Sequence, residues 1–430
     1  MKYLKNNLIT ILILSPLLHF SQSNNDIIKN IQELMLENYI FLDKAKETNL
    51  HLDSLMASNY FENYTDQKKF AKSLSVEMQR ITKDQHLNIT PPRPQRPEQS
   101  NSNFISRHLA NLARFRSGGF GKVDLLEGNI GYVELKGFRK EDIPKVDAVM
   151  NYLSTADAII IDLRENGGGS NLGLYWSSYF FKTNLNLTGA YERRTDSKTE
   201  IKTVSVKGNK RLDMPIFILT SSYTFSAAEA FAYDLQSRKR ATIIGETTGG
   251  GAHPVDFIQL PKGYGLIVPY AESINPITKS NWEGLGVIPD ILAHKEASLT
   301  KANELAIIAA KNYREKPFNE LRVILEKNDI SQNEENTVCE LFELLLKRKH
   351  LEEFMINNMG YSYLNSKQIN ASFVIFKSNV NIFPNSPNAH DSYAEVLAIK
   401  GHKKEALEHY KRAVLLAEKQ NDKQLKTFKN

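Results

Sequence analysis

The chain has 430 residues, 41% of them hydrophobic and 10% aromatic, which is enough for two or three domains with substantial cores. The net charge of +6 comes from 55 basic and 49 acidic residues, without the clustered basic and aromatic stripe typical of nucleic acid binding. The single cysteine, Cys339, excludes an internal disulfide framework and a zinc site built on several thiolates.

The first 23 residues are typical of a secretory signal peptide. Lys2 and Lys5 precede an apolar run over residues 8–20, and small residues ending at Ser23 provide a cleavage site. The apolar run is too short to span a bilayer. We therefore expect cleavage after Ser23 and export to the periplasm or the extracellular space, with no membrane span in the mature chain.

Residues 24 to about 89 form a pattern typical of helices, because apolar residues such as Ile27, Ile31, Phe70 and Leu74 recur at helical spacing. A proline cluster and a polar run over residues 91–103 then predict a linker. His86 lies between helix and linker, where a histidine taken alone is an ordinary loop residue. We place an N-terminal helical domain at residues 24–100.

From residue 118 the pattern becomes α/β. Residues 129–135 predict a strand, residues 141–153 an amphipathic helix, and residues 158–163 (AIIIDL) a second, buried strand. Three glycines at 167–169 follow this strand and allow close approach of a ligand to the backbone. Because the phosphate-binding glycine motifs are absent, we favour an oxyanion loop, with Gly168 N–H as a donor.

The central stretch of the chain is residues 215–254. It predicts a strand at 215–220, a tight turn, a helix that opens at Ser226, a strand at 241–244 and a glycine-rich loop. A serine at a helix N-terminus can attack a carbonyl carbon while free N–H groups, including that of Ala227, receive the developing oxyanion. The alternative is structural, because Ser226 and Glu229 also form a capping box.

Two further polar residues are candidates for function. Glu283 stands between an aromatic residue and a glycine, an unusual setting for a merely solvated carboxylate, although a simple turn glutamate is the alternative. His253 lies in the glycine-rich loop directly before Pro254. Its imidazole could act as a base or contact substrate.

These motifs together resemble the C-terminal processing peptidase family. They are Leu-Arg-x-x-Gly-Gly-Gly from residue 163, Thr-Phe-Ser-Ala-Ala-Glu around Ser226, Gly-Glu-Thr-Thr-Gly-Gly-Gly from residue 245, and Gly-x-Gly-Val-x-Pro-Asp from residue 284. The resemblance covers about residues 84–290. Within the family, the sequence resembles the tricorn-like branch, which includes bacterial relatives of interphotoreceptor retinoid-binding protein. It implies an α/β fold: a crotonase-like core of stacked βββα units behind an N-terminal helical domain.

The resemblance also implies roles for individual residues. The tail-specific branch uses a lysine about 25 residues after the serine, and this chain has Gly251 there, so a Ser–Lys dyad is absent. The tricorn-like branch uses a histidine and a glutamate, whose places match His86 and Glu283. Ser226 would be the nucleophile, with Gly168 and Ala227 as oxyanion donors, and the reaction would need no metal or cofactor.

The C-terminal region returns to helical periodicity from about residue 301. Two segments match at a 34-residue period, with Gly360 paired to Ala394 and Phe376 to Tyr410, which is similar to tetratricopeptide repeats. A generic helical hairpin is the alternative. We expect this tail to pack on the preceding helices or on the core and to dock a protein or peptide partner.

Four segments follow: a signal peptide at 1–23, a helical domain at 24–100, a peptidase core at 101–300 and a helical tail at 301–430. The sequence predicts an exported serine peptidase that cleaves peptides or partly unfolded proteins. The alternative is a catalytically idle module that binds an apolar ligand or peptide on the same fold.

Overall fold

The computed structural model describes residues 24–62, 64–93, 105, 108 and 118–420. The predicted signal peptide and most of the predicted linker lie outside these residues. The chain divides into two compact units. The first unit comprises Met1–Phe104, Gly189–Thr199 and His253–Ile274, and the second comprises Ile105–Thr188, Glu200–Ala252 and Asn275–Asn430. No helix among the described residues is long and apolar enough to cross a membrane.

The described helices and strands are numbered in chain order. The α-helices are α1 (Asn24–Asn38), α2 (Leu42–Ala57), α3 (Gln67–Thr82), α4 (Ile143–Tyr152), α5 (Leu172–Ser177), α6 (Ala227–Ser237), α7 (Lys295–Leu325), α8 (Gln332–Lys347), α9 (Glu353–Asn365), α10 (Ile369–Ile382), α11 (Pro387–Ile399) and α12 (Lys403–Gln420). The strands are β1 (Asn88–Thr90), β2 (Phe120–Leu126), β3 (Ile130–Leu135), β4 (Ala158–Asp162), β5 (Asn186–Glu192), β6 (Ser197–Lys202), β7 (Ile216–Thr220), β8 (Thr242–Gly245), β9 (Val255–Gln259), β10 (Gly265–Pro269), β11 (Ala271–Ile274) and β12 (Ile291–Leu292).

The first unit packs α1–α3 against a small antiparallel sheet in the order β1-β10-β9. Its core joins the predicted apolar faces of the helices, represented by Ile31 and Phe70, to Leu266 of β10. The helical prediction is wrong at its C-terminal end, because α3 stops at Lys83, which adopts a left-handed conformation with φ 59°. The chain then forms strand β1, where Ile89 pairs with Leu266.

The second unit contains a six-stranded sheet in the order β12-β8-β7-β4-β3-β2. All its strand pairs are parallel except β2 with β3. Strand β4 is buried on both faces, as the apolar run over residues 158–161 predicts. Ile159 and Ile161 lie in the cluster that includes helix α6, whereas Ile160 lies in the cluster that contains the alanines of α7. The sheet is therefore covered by helices on both faces.

The C-terminal part of the second unit is helical from α7 to α12. Helices α9 and α10 form one pair and α11 and α12 a second, and the second pair starts 34 residues after the first. Gly360 allows the ring of Phe376 to pack closely, since a Cβ at position 360 would lie 2.3 Å from the ring. These helices agree with the predicted period, and their assignment as tetratricopeptide repeats stays a prediction.

Polar contacts join the helical tail to the sheet-bearing part of the second unit. The guanidinium of Arg348 is 2.6 Å from a carboxylate oxygen of Asp213 and stacks over Tyr313, 3.8 Å from the ring centre. His350 lies 2.7 Å from buried Asp157. The mixed α/β core with helical regions before and after it confirms the predicted fold class.

Candidate active site

Ser226 occupies the sharp turn between β7 and α6. Its backbone has φ 55° and ψ −119°, a conformation that costs a non-glycine residue about 1–3 kcal/mol. The turn is held by buried hydroxyl groups that reach the end of β4: Thr224 Oγ1 donates to Leu163 O at 2.9 Å and Ser221 Oγ to Arg164 O at 2.6 Å. Helix α6 starts at the following residue, Ala227, so the predicted strand–turn–helix arrangement is confirmed.

Glu229 stabilises this turn from inside. Its side chain is fully buried, and its carboxylate accepts the Ser226 N–H at 2.7 Å, the Gly250 N–H at 2.7 Å, the Gly251 N–H at 2.9 Å and the hydroxyl of Thr248. Burial raises the pKa of Glu229, and the four hydrogen bonds oppose that rise. Glu229 therefore joins the nucleophile turn to the glycine-rich loop, in addition to the predicted contact with the Ser226 backbone.

Gly168 and Ala227 lie beside Ser226. A Cβ added to Gly168, whose φ is +98°, would stand 2.9 Å from Ser226 Cβ and 3.1 Å from Ala227 N, so this close approach requires glycine. Within the described residues, Ala227 N–H at the first position of α6 has no protein acceptor. The Gly168 N–H, in contrast, donates to the side-chain oxygen of buried Asn166 at 2.9 Å.

Glu283 is held against the glycine-rich loop of the same unit. Its carboxylate accepts the Ala252 N–H at 2.6 Å, while its own N–H donates to Asn281 Oδ1 at 2.8 Å. The next residue, Gly284, donates its N–H to Gly250 O at 2.9 Å. The sequence did not predict the two contacts with the glycine-rich loop, because Ala252 and Gly250 are about 30 positions away in the chain.

The two candidate histidines belong to the first unit and share one carboxylate there. Asp84 Oδ1 accepts the His86 backbone N–H at 3.0 Å, and Asp84 Oδ2 lies 2.8 Å from His253 Nδ1. His86 is half-buried, and burial lowers its pKa, although the Asp84 charge opposes that shift. Asp84 is a residue that the sequence analysis missed. Its signal is local, because an aspartate commonly accepts the N–H two residues later.

Two family models match the chain. Residues 129–293 match peptidase family S41, and residues 15–112 match the N-terminal domain of S41 peptidases in eukaryotic IRBP. A carboxyl-terminal-processing protease of Picosynechococcus is 27% identical over 186 residues, which cover 41% of this chain and 42% of that protein. The tail-specific protease of Haemophilus influenzae is 31% identical over 128 residues, which cover 28% of this chain and 17% of that protein.

Among solved structures, the photosystem II D1 C-terminal processing protease aligns with 68% of this chain and 98% of its own, at 13% identity and a TM-score of 0.44. The chain spans less than half the length of the curated relatives named above. The family model over residues 129–293 includes β4, the Ser226 turn and Glu283. The chain matches peptidase family S41 over these residues, which confirms the predicted resemblance.

Proposed function

We propose that this chain is a serine peptidase of the tricorn-like branch, which hydrolyses peptide bonds in peptides or partly unfolded proteins. The observation that carries the proposal is the strained backbone of Ser226 at the N-terminus of α6, with Gly168 packed against it. Strained non-glycine residues concentrate at active sites. Gly251, where the tail-specific branch has its lysine, supports the tricorn-like assignment.

In the proposed reaction, Ser226 Oγ attacks the scissile carbonyl carbon while His86 takes the hydroxyl proton. The tetrahedral oxyanion accepts a hydrogen bond from Ala227 N–H, whose lack of another acceptor suits this role. The Gly168 N–H supplies a second donor if it is shared with, or released by, Asn166. The C–N bond then breaks, and the leaving amine takes the proton from the His86 imidazolium.

Deacylation repeats these steps with water. His86 removes a proton from the attacking water, the ester bond to Ser226 breaks, and the proton returns to Ser226 Oγ. Glu283 is proposed to orient and stabilise the imidazolium. Its carboxylate is already fixed by Ala252 N–H, so the charge is pre-organised at little entropic cost.

The test is to replace Ser226 with alanine and to measure both peptide hydrolysis and labelling by a fluorophosphonate probe. Both should be lost while the circular dichroism spectrum and the melting temperature stay near those of the wild type. Ser222→Ala is the matched control, because Ser222 is an exposed serine of the same turn, and it should keep both. Wild-type protein that neither cleaves peptides nor reacts with the probe would favour the binding module instead.

We also propose that the protein is exported and that its helical tail docks a protein or peptide partner. N-terminal sequencing of the mature protein should start after Ser23, and a start at Met1 would contradict export. For the tail, a chain truncated after residue 352 should cleave short peptides like the full chain but lose preference for protein substrates. An unchanged preference would contradict the docking role.

A further inference from the structure

Asp84 is a buried carboxylate on which three segments of the first unit converge. Asp84 as a whole residue is 1% exposed, and the adjacent His253 is 5% exposed. Asp84 follows α3, Tyr39 follows α1, and His253 precedes β9. A buried carboxylate is costly unless its oxygen atoms are hydrogen-bonded, so the contacts around Asp84 determine how these segments meet.

The two carboxylate oxygen atoms of Asp84 contact different groups. Oδ1 accepts the backbone N–H of His86 at 3.0 Å, which fixes the turn that carries the imidazole. Oδ2 accepts the hydroxyl of Tyr39 at 3.3 Å and lies 2.8 Å from Nδ1 of His253. Because a carboxylate oxygen accepts hydrogen bonds, Nδ1 of His253 is the donor in this contact. The ring of Phe41 packs edge-on against His253, 5.4 Å from its centre, and further restricts the imidazole.

The groups around His86 shift its pKa in opposite directions. Burial lowers the pKa of His86, the negative charge of Asp84 raises it, and positive charge on His253 lowers it. Within the described residues of the first unit, the hydroxyl of Tyr39 also contacts Asp84, at 3.3 Å. Arg193, from the hairpin between β5 and β6, donates to the carbonyl of Tyr39 at 3.1 Å.

We infer that Asp84 and His253 form a positioning pair for the proposed base: Asp84 holds the turn that carries His86, and His253 moderates the field of that carboxylate at the imidazole. The inference rests on the proposed function only in naming His86 as the base. The two substitutions that break the pair therefore have effects of opposite sign on His86, which a purely structural role of the pair does not predict.

The experiment follows the imidazole signal of His86 by NMR between pH 4 and pH 9, in the full chain carrying Ser226→Ala. Asp84→Asn removes the carboxylate charge and should move the His86 midpoint to lower pH. His253→Gln removes the imidazole whose positively charged form lowers the His86 pKa, and should move the midpoint to higher pH. Asp43→Asn is the matched control, because Asp43 is a fully exposed carboxylate of the same unit, and it should leave the midpoint unchanged.

Shifts of the same sign, or no shift in either variant, would overturn the inference. Should Asp84→Asn not fold, His253→Gln decides alone, because it keeps the carboxylate and its upward shift is still required. The titration uses inactive protein, so it gives a result even if the chain proves not to be a peptidase. If the chain cleaves peptides but the His86 midpoint does not shift in opposite directions in the two variants, the inference is wrong and the proposed function still holds.

With Ser226 restored, the pH dependence of kcat/KM gives a second readout. Its acidic limb reports the pKa of the base in the free enzyme. The limb should therefore move to lower pH in Asp84→Asn and to higher pH in His253→Gln. We expect Asp84→Asn to lower kcat about 10-fold with little change in KM, since the base remains but is weaker and less well held. A raised KM with unchanged kcat and limb would instead indicate a substrate contact.

Discussion

The turn that carries Ser226 and the helical tail belong to the same unit but are stabilised by different forces. In the turn, backbone N–H groups and hydroxyls bind buried polar side chains, above all Glu229 and Asn166. In the tail, the buried residues are mainly apolar, and Phe342 and Phe376 are fully buried in their clusters. The conformation of the nucleophile turn thus depends on directional hydrogen bonds, whereas the stability of the tail depends on close packing of apolar side chains.

This difference predicts how each region responds to substitution. Removal of one member of a buried polar network leaves its partners unsatisfied, so the loss spreads to neighbouring groups. Removal of a buried apolar side chain leaves a cavity whose cost grows with its volume. We therefore expect the turn to lose function abruptly and the tail to lose stability gradually.

Glu229→Gln should have the largest effect. The amide keeps the shape of the side chain, but it replaces one acceptor oxygen with a donor that faces N–H groups of Ser226 and the glycine-rich loop. We expect kcat to fall at least 100-fold and the free energy of unfolding to fall by about 3 kcal/mol. Steady-state kinetics and urea unfolding measure the two effects.

Glu326→Gln is a control for the Glu229 substitution, because Glu326 is an exposed glutamate at the end of α7. Glu326→Gln should change neither kcat nor the free energy of unfolding. If Glu229→Gln kept wild-type kcat and stability, the buried carboxylate would not organise the Ser226 turn, and the comparison between the two regions would fail.

Phe376→Ala tests the tail and should have the next largest effect. The ring is fully buried against Gly360 and lies 5.0 Å from the ring of Tyr361. The cavity should lower the free energy of unfolding of the tail by about 3–5 kcal/mol. Cleavage of a short peptide should stay within about 2-fold of wild type, since the substitution leaves the nucleophile turn intact.

Phe376→Leu is the control for the Phe376 substitution, because it fills most of the same volume and should cost less than half as much. Hydrogen exchange of the amides in α10 and α11 measures the stability of the tail separately from the core. Equal costs for alanine and leucine would show that packed volume does not determine the stability of this region.

The strong elements of the fold could be predicted from the sequence because their signals are local. Strands β4 (AIIID) and β7 (IFILT) are apolar except for their last residue, and both lie within one residue of their predicted positions. Strand β6 was not predicted, because its residues SKTEIK are mostly exposed and show no apolar periodicity. An edge strand of this kind is specified by its neighbour in the sheet rather than by its own sequence.

The candidate site divides in the same way. The position of Ser226 before a helix and the glycines beside it follow from local motifs. The hydrogen bond between Asp84 and His253 joins residues that are 169 positions apart, so no spacing rule could predict it. Glu229 was predicted only as a helix cap, since its contacts with the glycine-rich loop depend on tertiary structure.

Asp234→Asn should produce a smaller effect that depends on pH. The carboxyl group is buried in α6, where it accepts a hydrogen bond from Asn275 Nδ2 at 3.0 Å, and burial raises its pKa to about 7. A raised pKa means that the folded state binds the proton more tightly, so this contribution is fully present below the unfolded pKa of 3.8 and is lost as the pH rises through 7.

The asparagine variant should therefore gain about 2–4 kcal/mol relative to wild type between pH 4 and pH 8. Urea unfolding at each pH provides the measurement. Asp196→Asn, an exposed aspartate between β5 and β6, is the control and should follow the wild-type curve. A difference between Asp234→Asn and wild type that does not change with pH would show that Asp234 does not titrate in this range.

The smallest effect is expected at the interface of α11 and α12, where the tail contains a polar contact that resembles those of the turn. Nδ1 of His390 lies 2.8 Å from Nδ1 of His409, and His390 Nε2 lies 3.1 Å from Pro384 O. Burial lowers the pKa of both histidines. Arg412 lowers that of His390 further, while Glu405 and Glu408 partly oppose the shift at His409.

Because both pKa values are lowered, the neutral pair stabilises the fold above the unfolded value of 6.5, and this contribution is lost as the pH falls. His409→Leu should cost about 1 kcal/mol at pH 7, the value of one hydrogen bond, and less at pH 5, where the pair is weakened in the wild type. Hydrogen exchange of the Ala413 and Ala417 amides in α12 measures this difference. A cost that is the same at both pH values would mean that volume, not the shared proton, holds the last helix, and the tail would then depend on apolar packing throughout.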